Sequence, residues 1–185
     1  LKGTARAALA ALVLVAGAAL QTGVATAAEP TQALQAPNVV VVSPRLVTSG
    51  QPTGAALRGL RAQGFDAVVY LAPSNVQDAV RDEPAIVREQ RLEFVHVPID
   101  FERPGSADVR RALAALAALR ERRVLVHCQV NFRASSVVFL YRVLVEHERP
   151  EAAYEAVARV WSPNRAWRAL IVQELRDAGI AFEPY

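Results

Sequence analysis

The chain has 185 residues, 52% of them hydrophobic and 21% charged, with 21 Lys and Arg against 18 Asp and Glu for a formal charge of +3. That length fits one modest domain with a real core, and the apolar fraction excludes a disordered chain. The single cysteine, Cys128, excludes an intramolecular disulfide framework and a four-thiolate zinc site, and arginines scattered without a basic run give no nucleic-acid signature.

Residues 1–27 contain only two charges, Lys2 and Arg6, then an apolar run from Ala7 to Leu20 and a small-residue exit, Ala25-Thr26-Ala27. This order predicts a secretory signal peptide cleaved after Ala27, and hence a periplasmic or secreted protein. The apolar run is short for a span of about 20 residues, so no stable membrane anchor is expected after cleavage. Loss of Lys2 and Arg6 lowers the formal charge from +3 to +1. In an oxidising compartment an unpaired cysteine has to be buried, reactive or both.

Residues 28–37 read as a polar linker, and residues 38–185 as the functional domain. Asn38 to Ser43 is a short apolar run fit for a strand, and Arg45 to Ser49 follows Pro44 as a second. Gly50-Gln51-Pro52 is a turn, after which Thr53 caps a helix from Gly54 to Gln63, closed by Gly64. Asp66 to Leu71 is a buried strand, and Glu83 to Gln90 a helix capped by Asp82. A strand from Glu93 to Ile99 exits at Pro98. Leu113, Leu116 and Leu119 give the helix Asp108–Arg120 its core face. Arg123 to His127 is a fully apolar strand that stops at Cys128; helices follow over 134–146, 150–160 and 165–178, the last ended by Gly179. Strands separated by helices predict an α/β fold with a mainly parallel central sheet flanked by helices, the C-terminal ones closing one side.

In such sheets ligands bind where strands lead into helices. Cys128 stands at that junction, in Val124-Leu-Val-His127-Cys128-Gln129-Val130-Asn131-Phe132-Arg133-Ala134-Ser135. Free N–H groups at a helix start favour a thiolate and can cradle an oxyanion. Arg133 can add a bidentate contact, Asn131 tolerates a left-handed backbone, and Ser135 can donate to the sulfur. His96, His127 and His147 are scattered and lack paired carboxylates, so no metal site is expected. His96 reads as a partly buried strand residue, and Trp161 and Trp167 as packing residues that can also line a cleft wall.

Val-Leu-Val-His127-Cys128, with Arg133 and Ser135 after it, resembles the active-site loop of cysteine-dependent protein tyrosine and dual-specificity phosphatases. Ser49-Gly50-Gln51-Pro52 and Gly64 to Leu71 are similar to the N-terminal part of compact bacterial members. The resemblance implies phosphate-monoester hydrolysis through a cysteinyl-phosphate. Cys128 would be the nucleophile, and Arg133 with the backbone of Gln129, Val130, Asn131, Phe132 and Ala134 would hold the phosphoryl oxygens. It further implies that Ser135 binds near the sulfur, that His127 orients the loop from below, and that no cofactor is required. The general acid of that family precedes the cysteine by some thirty residues, which selects Asp100, with Glu102 as second choice. The expected partner is a phosphorylated protein or a small phosphate ester.

The loop departs from the family in having four rather than five residues between Cys128 and Arg133. Either the arginine enters one position early, with Ala134 in its usual slot, or the loop is tighter. A four-residue gap is also seen in rhodanese-type sulfurtransferases. A sulfurtransferase using Cys128 and a non-catalytic oxyanion-binding module are therefore the alternatives.

Overall fold

The computed structural model describes residues 33–185; the expected signal segment and residues 28–32 of the expected linker lie outside them. The strands are β1 (Val40–Ser43), β2 (Leu46–Ser49), β3 (Ala67–Tyr70), β4 (Glu93–His96) and β5 (Val124–His127). The helices are α1 (Gly54–Arg58), α2 (Glu83–Glu89), α3 (Ser106–Ala118), α4 (Phe132–Leu144), α5 (Pro150–Ala158) and α6 (Arg165–Asp177). The sheet order is β1-β2-β5-β3-β4. β1 and β2 form an antiparallel hairpin, and β2, β5, β3 and β4 run parallel. The fold is α/β with a five-stranded, mostly parallel sheet.

The apolar runs follow from coverage of both sheet faces. Along β5, Val124 and Val126 join one apolar cluster and Leu125 the other; Ala67 and Val69 are divided from Val68 along β3 in the same way. One cluster holds Leu57 of α1 with Ile86 and Val87 of α2. The opposite cluster holds Leu113 and Leu116 of α3, Leu140 of α4, Tyr154 of α5 and Ile171 of α6. α4 is the hub of that layer, packed against α3, α5 and α6. Leu125 and Val126 are fully buried, and burial on that scale stabilises by about 2 kcal/mol per side chain. The central strand is thus a fixed base for the residues at its carboxyl end.

Several element ends differ from expectation. α1 stops at Arg58 rather than Gln63, because the chain tightens from Gly59 onward into i→i+3 turns that close at Gly64, whose φ is 81°. Thr53 caps α1 as expected, accepting from Ala56 N at 3.1 Å, whereas Asp82 stands at the start of α2 without a capping bond. β4 ends at His96, since Pro98 has no N–H to donate, yet Val97 N and Ile99 N still donate to Tyr70 O and Leu71 O along β3. α4 begins at Phe132, two residues earlier than expected. The expected linker is engaged from Gln35 onward: Thr53 N donates to Gln35 O at 3.2 Å and Gly50 N to Pro37 O at 2.7 Å.

Gly50 is where this segment, β2 and the Cys128 loop converge. A Cβ there would stand 2.8 Å from Gln129 O and 2.9 Å from Pro37 Cβ. Both neighbours are held by backbone, so neither can yield cheaply. Gly50→Ala is expected to lower the unfolding free energy by about 1–3 kcal/mol, read as a reduced urea midpoint at unchanged slope.

Candidate active site

Cys128 leaves the carboxyl end of β5, its N–H donating to Ser49 O at 3.3 Å. Only Gln129, Val130 and Asn131 separate it from α4. Asn131 makes this short connection possible by taking the left-handed conformation, φ 72° and ψ 0°, which asparagine tolerates better than most residues. Its side chain faces the β1–β2 hairpin: Nδ2 donates to Asn38 O at 2.6 Å and to Thr48 Oγ1 at 3.0 Å.

The carbonyls of Gln129 and Val130 find donors outside the loop, and the next two are taken by Ser135 in the first turn of α4. Gln129 O accepts from Gln51 N at 3.0 Å, and Val130 O from Asn38 Nδ2 at 3.0 Å. Asn131 O accepts from Ser135 N at 2.9 Å, and Phe132 O from Ser135 Oγ at 3.2 Å. A trans peptide points its N–H opposite to its carbonyl. The N–H groups of Val130, Phe132 and Arg133 therefore turn to the other side, that of Asn131 faces Ser49 O across the antiparallel bridge between Gly50 and Val130, and those of Phe132, Arg133 and Ala134 lack intrahelical acceptors at the helix start. Such a set of donors suits an oxyanion.

The side chains are placed as follows. Cys128 is fully buried, as are Ala134 and Ser135 to within 2% of exposure. Ser135 directs its hydroxyl to the Phe132 carbonyl rather than to the thiol. Val130 is exposed and Gln129 and Phe132 are half-buried. Arg133 is buried in the first turn of α4; its Nε donates to Ile99 O at 2.9 Å, and its guanidinium lies 5.1 Å from the Phe101 ring centre. Among the described residues its two terminal nitrogens have no protein acceptor. Arg133 thus ties the Cys128 loop to the segment after β4.

Asp100 lies one residue beyond that tie, exposed. Its Oδ1 accepts from Glu102 N at 2.9 Å and Arg103 N at 3.1 Å. These backbone N–H groups, helped by the Arg103 guanidinium, hold its carboxyl below the usual aspartate range. Asp100 is therefore an ionised turn-former in this arrangement, and Glu102 is exposed beside it.

Beneath the loop is a buried polar chain. His127 Nε2 lies 2.6 Å from Glu83 Oε1, and Gln51 Nε2 donates to Glu83 Oε2 at 2.8 Å. His127 and Glu83 have at most 2% exposure. Tyr70 stacks between His127 and His96, at 4.7 Å and 4.9 Å, the register neighbours on its two flanking strands. Burial pushes the Tyr70 phenol up to about 12, so it remains a donor, to Pro73 O at 3.2 Å. His96, expected partly buried, is exposed because β4 is an edge strand, although its Nε2 lies 2.8 Å from Ala72 O.

Sequence reasoning missed Glu83, Asn38 and Thr48. Glu83 reads as an ordinary acidic first-turn residue before Pro84, and only the fold reveals its burial. The two tryptophans separate. Trp167 is fully buried, with Nε1 donating to Phe101 O at 3.0 Å, while Trp161 stacks flat on Phe132 at 4.4 Å and 1°. Phe101, Phe132 and Trp161 form an aromatic group beside Arg133.

The same architecture occurs in solved structures. A DUF442 protein of Shewanella putrefaciens CN-32 is 26% identical with a TM-score of 0.71, covering 80% of this chain and 94% of its own. Tk-PTP, in its active form, is 24% identical at a TM-score of 0.62, over 76% of this chain and 97% of its own. Human DUSP28 is 16% identical at 0.59, over 77% and 96%, a likeness of fold alone. No curated protein matches the sequence. Residues 31–168 match the family described as DSP-PTPase phosphatase fused to NAD+ kinase. The chain belongs to this dual-specificity phosphatase-like family.

Proposed function

We propose that the protein hydrolyses phosphate monoesters through a cysteinyl-phosphate on Cys128. The observation that carries this reading is the order of groups at one strand–helix junction: Cys128 at the end of β5, then the first-turn N–H groups of α4 without intrahelical acceptors, then Arg133, whose terminal nitrogens have no acceptor among the described residues. The Cys128 thiolate attacks phosphorus in line; the S–P bond forms as the bond to the leaving oxygen breaks. Charge spreading over the three equatorial oxygens is met by the loop N–H groups and Arg133. Water then attacks phosphorus, the S–P bond breaks, and the thiolate is restored with inorganic phosphate as product. Cys128 has no exposed surface, so an ester reaches it only when side chains at the loop part. Phe101, Phe132 and Trp161 favour a flat aromatic leaving group, as in phosphotyrosine.

Asp100 is assigned to protonating the leaving oxygen and then to taking a proton from water. An acid has to carry its proton first, and the turn bonds from Glu102 N and Arg103 N favour the ionised form. Function therefore requires the 97–105 segment to rearrange on binding, releasing Asp100 from those bonds and raising its pKa. Arg133, bound to Ile99 O, is the group through which a bound oxyanion can drive that movement. Export through residues 1–27 belongs to the same reading and places the activity in the periplasm or outside the cell.

Hydrolysis of an aryl phosphate is expected, with Cys128→Ser lowering kcat by about three orders of magnitude or more. Sulfur transfer from thiosulfate without phosphate release would overturn the proposal in favour of a sulfurtransferase, and oxyanion binding without either reaction in favour of a binding module.

Asp100→Asn is expected to lower kcat by about 10²-fold or more for phenyl phosphate but much less for p-nitrophenyl phosphate, whose leaving group needs little protonation. With Asp100 as the acid, kcat/KM for phenyl phosphate falls as rising pH removes its proton, and the Asn variant loses that limb. Equal losses for both esters would exclude Asp100 as the acid. The turn itself behaves oppositely. A carboxyl held below its unfolded pKa stabilises the folded segment above that pKa, and the contribution is lost as pH falls through the lowered value.

A further inference from the structure

A cavity of about 330 Å³ opens beneath the loop between β3 and α2. It lies at the carboxyl ends of β3 and β4, the side of a parallel sheet on which ligands bind. Tyr70 and His96, the last residues of those strands, wall it together with Phe94, and Val80 and Pro84 add apolar surface. Glu83 is its most deeply buried lining group, 2% exposed, with its oxygens taken by His127 Nε2 and Gln51 Nε2. No residue of the Cys128 loop lines the cavity. Cys128 packs in the apolar cluster built with α3 and α4, whereas α2, which carries Glu83 and Pro84, covers the opposite face of the sheet. The cavity is therefore separate from the Cys128 site.

Its free polar groups are few. The nearby Arg58 and Arg88 are engaged, the first with Asp82 at 3.9 Å and the second over the Phe94 ring. Arg81 is exposed where it lines the cavity, and among the described residues its guanidinium has no carboxylate partner. His96 Nε2 faces Ala72 O at 2.8 Å; a carbonyl only accepts, so Nε2 carries the proton and Nδ1 is left without a partner. Aromatic walls, a buried carboxylate inside and a free guanidinium outside order a ligand by charge, with its ring inward and its anionic end outward. We infer that this cavity is a second binding site, for a small planar aromatic carboxylate that pairs with Arg81 and lays its ring beside Phe94 and the Tyr70–His96 stack. The volume suits roughly one or two rings. The inference stands whether or not Cys128 turns over an ester.

The test titrates the full chain with cinnamate by calorimetry, with and without saturating tungstate as an oxyanion competitor for the Cys128 loop. Binding is expected with a Kd on the order of 10⁻⁴ M, unchanged by tungstate, and about tenfold weaker for the uncharged cinnamamide. Arg81→Gln is expected to weaken cinnamate about tenfold while leaving cinnamamide unchanged. Val80→Trp, which fills the cavity, is expected to abolish binding of both. Arg159→Gln removes another exposed arginine, at the end of α5, and is expected to change neither affinity. Thermal melts identify which variants are folded, and Arg81→Gln decides the matter alone if Val80→Trp is not. No binding of cinnamate by the wild type would overturn the inference, as would wild-type affinity in a folded Arg81→Gln or an equal loss in Arg159→Gln. Displacement of cinnamate by tungstate would overturn it too, by placing the ligand at the Cys128 loop, and equal affinity for cinnamamide would overturn the anionic class of ligand.

Discussion

Four successive carbonyls, from Gln129 to Phe132, all have donors: the first two from the β2 exit and the segment before β1, the last two from Ser135 in the first turn of α4, and the shape of the Cys128 loop depends on this. A peptide plane cannot direct its oxygen and its N–H the same way. Satisfying the carbonyls in this way turns the amides of Val130, Phe132 and Arg133 to the opposite side, while that of Asn131 faces Ser49 O across the bridge between Gly50 and Val130. The bound groups come from parts of the chain far apart in sequence: the segment before β1, the exit of β2, and α4 itself. Gly50 permits the closest of these approaches, because any side chain there would strike both Pro37 and Gln129.

A second layer supports the first. The chain Gln51–Glu83–His127 lies under the loop, with both carboxylate oxygens of Glu83 engaged. Burying such polar groups is costly unless they are paired, and breaking one pair leaves the others exposed to that cost. The network joins α2, the β2 exit and the end of β5, so it resists relative movement of the elements that carry Cys128. Tyr70, stacked between two histidines, extends the same layer across three parallel strands. By contrast, the segment bearing Asp100 is tied to the loop mainly through Arg133 and the aromatic group. Cys128 thus sits on the rigid side of this region and Asp100 on the adjustable side.

Much of this was legible in the sequence, and the limits have physical causes. The apolar runs at 66–71 and 123–127 specify buried strands because both faces of a parallel sheet are covered. The placement of Cys128 at a strand–helix junction, with Arg133 just beyond it, was readable from residue type and order alone. The left-handed Asn131 was foreseeable as well. Burial of Glu83 was not, since an acidic residue at a helix start is ordinarily solvated. The contacts of Asn38 were hidden too: its partners are 92 and 93 residues away, and contacts at that separation leave no local pattern. The turn bonds on Asp100 were also invisible, because they arise from the backbone conformation of residues 100–103 and not from their identity. The four-residue spacing was visible as an anomaly. In the fold it corresponds to α4 starting at Phe132, with Arg133 already in the first helical turn.

The account stands on Cys128 carrying the phosphoryl group between the two half-reactions. The most direct measurement is peptide mass spectrometry of the protein quenched during turnover of an aryl phosphate. The account predicts one phosphoryl group on the peptide containing Cys128, absent in Cys128→Ser. A phosphoryl group on any other residue, or phosphate release with Cys128 remaining unmodified throughout, would contradict it.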